Sequence, residues 1–173
     1  MLGYFPAIVH LVRSPQNTHY VATLTSGFTS VTNAYTAGLL EKLFSFLDAP
    51  ICAKLAEVGY FVPGDSVLRN RDVYLYLDGI AAGSPETCEE AESRRMLRNM
   101  CELSGKPFSF DIRKDVKKLF DYCVASYPGR KDPPDIQQLK GMVREWEEEL
   151  LWAHLGFDCS HIFHLRLGFY TGD

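Results

Sequence analysis

The sequence predicts an α+β domain, with a mainly antiparallel sheet packed by four to five helices. Three observations lead there. β-rich runs stand near both ends, at 7–12 with 19–25 and again at 161–170. A six-residue run at 72–77 alternates strictly. The segments between carry apolar residues at helical spacing and end in glycine or proline. Strands at the ends with helices between them suggest a sheet made of an N-terminal hairpin, a central strand and a C-terminal strand, covered on one side.

Taken in order, "AIVHLV" and "HYVATLT" are separated by "RSPQNT", whose Pro15 and Asn17 are turn formers, so a β-hairpin is expected. A helix from Ser30 to Leu47 carries Val31, Tyr35, Leu39, Leu43 and Leu47 on one face. Leu40, Phe44 and Phe46 widen that face, which predicts a central, heavily buried helix. Asp48 and Pro50 stop it, and Pro50 opens a short helix through Val58. "DVYLYL" then sets Val73, Leu75 and Leu77 against Tyr74 and Tyr76, the pattern of a strand. The following "GIAAG" reads as a turn.

Ser84-Pro85 is an N-cap followed by proline at the first helical position, and that helix ends at Ser104-Gly105. A helix over 112–126 buries Ile112, Val116, Leu119, Phe120 and Cys123. The last helix begins after Asp132-Pro133-Pro134 and runs to His154, with Ile136, Leu139, Val143, Trp146, Leu150 and Ala153 as its apolar stripe. Gly156 ends it. In "HIFHLRLGFY" the alternation predicts a strand that packs through Phe163, Leu165, Leu167 and Phe169 and turns His164 and Arg166 outward.

Composition narrows the function classes. A chain of 173 residues fits one compact domain spanning 1–173, and 46% hydrophobic residues supply a core. The net charge of −4 gives no general attraction to nucleic acid or an anionic membrane. No run of 18 apolar residues is present, so no membrane-spanning helix is expected. The N-terminus has no basic leader, and Pro6 and His10 interrupt its apolar run. Five dispersed cysteines without CxxC spacing, an odd number, predict reduced thiols in a cytoplasmic or nuclear setting.

Chemistry is suggested at four places. His154, Cys159 and His161 offer zinc-ligating atoms, but tetrahedral zinc needs a further ligand, such as His10 or His19. Without that fourth ligand no cofactor is expected. Cys52, near a helix start, offers a nucleophile for a cysteine-dependent hydrolase, with His161 or His164 as base. Arg113, Lys114, Lys117 and Lys118, followed by Arg130 and Lys131, form a basic face that could meet RNA phosphates. Glu145, Glu147, Glu148 and Glu149 read as a solvated acidic face. No GxGxxG, P-loop, GxSxG or HExxH motif occurs.

Aromatic residues outside the periodic faces point instead to recognition. Tyr4, Phe5, Phe28, Tyr60, Phe61, Phe108, Phe110, Tyr127, Phe157 and Tyr170 fall in loops or at element ends, and aromatics are favoured anchors in protein interfaces. The expectation is therefore a non-enzymatic, intracellular regulatory or accessory protein, a class that includes virus-encoded proteins. It would act by binding another protein, with self-association as one form of this and RNA contact as the alternative.

Overall fold

A computed structural model describes residues 5–14, 16–109, 111–127 and 129–168. Among these, seven helices occur: α1 (Phe5–Val12), α2 (Asn33–Leu47), α3 (Pro50–Glu57), α4 (Ser66–Ala82), α5 (Pro85–Ser104), α6 (Ile112–Ala125) and α7 (Pro134–His154). Two strands, β1 (Val21–Thr23) and β2 (Ile162–His164), form one small parallel sheet. The predicted antiparallel α+β fold is thereby overturned: the chain is mostly helical.

Two of the predicted strands are helices, for identifiable reasons. The 72–77 run lies inside α4, and its alternation is local. Asp65 caps α4 by accepting the Leu68 N–H at 2.9 Å, and Gly83 closes it in a left-handed conformation at φ 64°. "GIAAG" is thus the last turn of α4 with its cap. Gly79 is required there, because a Cβ would lie 2.8 Å from Cys88 Sγ and 3.0 Å from the Cys88 nitrogen, so α4 and α5 could not pack as closely. The 7–12 run belongs to α1, where Ile8 and Val12 lie one turn apart and pack against the cluster of Trp152, Phe157 and Ile162.

With 7–12 helical, no hairpin forms. β1 finds its partner at the other end of the chain, in the register Val21 to Ile162, Ala22 to Phe163 and Thr23 to His164. Parallel strands need a crossover, and here α2 to α7 together supply it.

The core lies among the helices. α5 packs on α2, α4, α6 and α7. Leu40 and Leu43 of α2, Leu97 and Met100 of α5, Val116 of α6 and Ile136 and Leu139 of α7 are essentially inaccessible to solvent. The predicted apolar faces of α2, α6 and α7 all contribute to it.

Candidate functional site

The two strands lie on α7, and acidic side chains of α7 decide which way they face. The Thr23 hydroxyl donates to Glu148 Oε1 at 2.5 Å, and Trp152 Nε1 donates to the same oxygen at 3.1 Å. His164, opposite Thr23 in the register, meets Glu149 Oε1 at 3.2 Å through Nε2. Ile162 is buried beside Trp152 and Phe157. The alternation expected for this strand is present with its faces reversed: His164 points in, whereas Phe163, Leu165 and Leu167 point out. Phe169, expected on the same face, lies outside the described residues.

Beneath the sheet runs an ionic network that the acidic-run reading missed. Glu149 and Glu145 are buried rather than solvated. Arg95 grips both Glu149 oxygens, donates to Asn99 Oδ1 at 3.0 Å and lies over the Trp146 ring. Arg69 adds a contact to Glu149 at 3.5 Å. Burial alone would raise the Glu149 carboxyl, but Arg95, the His164 hydrogen bond and Arg69 outweigh it and hold the group at about 2.

Arg98 makes a second buried knot. It donates to Asp72 Oδ2 at 3.0 and 3.2 Å and to the carbonyls of Tyr60 and Val62, while Tyr60 donates to Asp72 Oδ1 at 2.7 Å. The sequence trace of this network is the helical spacing of Arg95 and Arg98 on α5 and of Glu145 and Glu149 on α7, although Arg98 pairs with Asp72 of α4 and Glu145 with Arg166. Period 3 to 4 charges on a solvated face look the same.

At the end of β2 the backbone of Arg166 is left-handed, at φ 49°. Its guanidinium takes both Glu145 oxygens at 2.6 and 2.8 Å and reaches Glu102 at 2.8 Å. The segment is thus tied down by charge while its apolar side chains remain outside. Leu165 N–H donates to Thr23 O at 2.9 Å and Leu167 N–H to Leu24 O at 2.7 Å, which extends the pairing past the strands.

The outer face of this sheet is apolar. Tyr20, Leu24, Phe163 and Leu165 keep 63%, 54%, 48% and 48% of their surface exposed, with Tyr20 in edge contact with His161 and near Phe163. The sheet has two strands, so each has one edge without a strand neighbour among the described residues. By contrast, the aromatics expected as anchors are mostly internal: Tyr60, Phe61 and Phe157 are buried and Phe28 and Phe108 half-buried, leaving Tyr127 exposed. Tyr4, Phe110, Tyr170 and the Phe5 side chain lie outside the description.

The other candidate residues fall in separate places. His154 is exposed at the end of α7, Cys159 is buried, and His161 contacts Tyr20. Among the described residues no group of three or more His, Cys, Asp or Glu is placed to hold a metal ion. Burial pushes the Cys159 thiol up to about 12 and raises Cys52 as well, the opposite of an activated thiolate. His161 and His164 are engaged with Tyr20 and Glu149 rather than with Cys52.

On the basic face, Arg113 pairs with Asp48, Lys114 with Asp111, Lys117 with Asp121 and Lys118 with Asp135. Arg130 lies over the Tyr122 ring, and the Lys131 carbonyl accepts from Tyr122. The positive charge there is interleaved with carboxylates, which weakens its field at a phosphate backbone. Among the described residues no helix is long and apolar enough to cross a membrane.

No protein-family model matches the chain, nor does any curated protein or solved structure. The fold and surface therefore define the class alone: a mostly helical domain with an apolar two-stranded sheet presented on one side.

Proposed function

We propose that this chain is a non-enzymatic, intracellular regulatory or accessory domain that binds another protein through the outer face of its two-stranded sheet. The observation that supports this reading is the cluster of Tyr20, Leu24, Phe163 and Leu165, large apolar side chains left in water side by side. Scattered exposed leucines need no explanation, but adjacent ones on paired strands do.

The occupant that fits is an extended apolar segment of a partner chain. An open strand edge offers backbone donors and acceptors, and the adjoining face offers contacts for alternate side chains.

Selection of extended peptides from a displayed library against the wild-type protein tests this, with Leu165→Lys as the counter-target. Selected peptides should carry alternating apolar residues and lose about tenfold or more in affinity for the variant. Peptides that bind both proteins equally would place recognition elsewhere. If the wild-type protein is instead a dimer by light scattering and Leu165→Lys makes it a monomer, the occupant is a second copy of the chain.

A further inference from the structure

A cleft of about 630 Å³ lies away from the sheet, between the start of α2, the end of α6, residues 129–132 and Lys140 of α7. A smaller one beside Phe28 and Gly141 encloses about 270 Å³. The larger volume falls in the range of small-molecule sites.

Its lining is organised around a buried cation. Lys140 is 4% exposed and donates to Asp132 Oδ2 at 2.6 Å. Asp132 is fixed in turn, its Oδ1 accepting from the Tyr122 hydroxyl at 3.1 Å and its carbonyl from Gln137 at 2.7 Å. An ammonium carries three protons, so Lys140 retains donor capacity beyond Asp132. Arg130 supplies a second cation, with its guanidinium 4.9 Å from the centre of the Tyr122 ring. That stacking pre-orients the fork and lowers the entropy lost on binding an anion.

Two further features refine the ligand. Asn33, also in the lining, has a buried Oδ1 without a hydrogen-bond partner. An unsatisfied buried acceptor is costly, and a donor on a ligand would relieve that cost. Ala37 and Cys123 give an apolar wall, the thiol kept neutral by burial, which pushes it up to about 11.

We propose that this cleft is a binding site for a small organic oxyanion, carboxylate or phosphate, that also carries a hydroxyl or amine donor. Lys140 and Arg130 take the oxyanion, and Asn33 accepts from the donor. The site is independent of the sheet face.

The test is titration of the ¹⁵N-labelled full chain with inorganic phosphate, glycerol phosphate and lactate, read from amide shifts. Shifts at Asn33, Ala34 and Arg130 that saturate with one of the two hydroxylated probes are expected. Whether glycerol phosphate or lactate binds more tightly identifies the oxyanion. Arg130→Ala, which removes the second cation, and Asn33→Ala, which removes the acceptor, both at positions outside the packed core, should each weaken that probe by about tenfold while the spectrum stays folded. Shifts absent with all three probes at about 10 mM, or binding equal in the two variants and wild type, would overturn the proposal.

Discussion

The carboxyl of Glu149 sits at about 2 in the folded protein, below an unfolded value of 4.5. The unfolded chain therefore takes up the proton first, so the stabilisation is complete above about pH 4.5 and is lost as pH falls toward 2. The difference corresponds to roughly 3 kcal/mol. Urea denaturation followed by circular dichroism should show the midpoint dropping through that window. Glu149→Gln should flatten the drop and itself cost about 3–5 kcal/mol at neutral pH, since Arg95 is left buried without its partner. The thiols give a second residue-scale expectation. Cys52, Cys101, Cys123 and Cys159 are buried and Cys88 is half-buried. Alkylation of the native protein should reach Cys88 first and the others only as fast as the protein opens. Rapid labelling of Cys52 would instead restore the nucleophile reading.

At the scale of elements, two glycines in helix interiors should respond oppositely to alanine. In α4, Gly79→Ala places a Cβ 2.8 Å from Cys88 Sγ and forces α4 and α5 apart, at a cost of about 1–3 kcal/mol. In α2, a Cβ at Gly38 meets nothing within 4 Å. Gly38→Ala should therefore stabilise by about 0.5–1 kcal/mol, through backbone entropy alone. Thermal denaturation of the two variants checks both signs.

For the whole molecule, the orientation of the terminal sheet is the decisive feature. Ile162→Ala should cost about 2–5 kcal/mol, because it empties a site shared with Trp152 and Phe157. Leu165→Lys, on the outer face, should change stability by no more than about 0.5 kcal/mol. A comparable loss in the two variants would put Leu165 in the core and remove the exposed face. The same comparison separates the loss of a binding surface from the loss of the fold, as the peptide test requires.

Helices were the legible part. α2, α3, α5, α6 and α7 follow from apolar spacing closed by Ser84-Pro85, Gly105, Pro134 and Gly156, all signals within a turn or two of the backbone they govern. α4 was hidden because "DVYLYL" satisfies period 2 while its cap residues Asp65 and Gly83 lie outside that window. Burial of Glu145 and Glu149 was hidden because their partners Arg95 and Arg166 come from other segments. A two-residue alternation states that β2 has two faces but not which one is inside. That choice, together with the parallel pairing of β1 with β2, was made by Glu148, Glu149 and Trp152 of α7, to which Thr23, His164 and Ile162 are bound. The sequence by itself determined α2, α3, α5, α6 and α7, since their caps and periods are local. Only the tertiary structure decided the sheet and the surface it exposes, since a strand's partner and its buried face are properties of what it packs against.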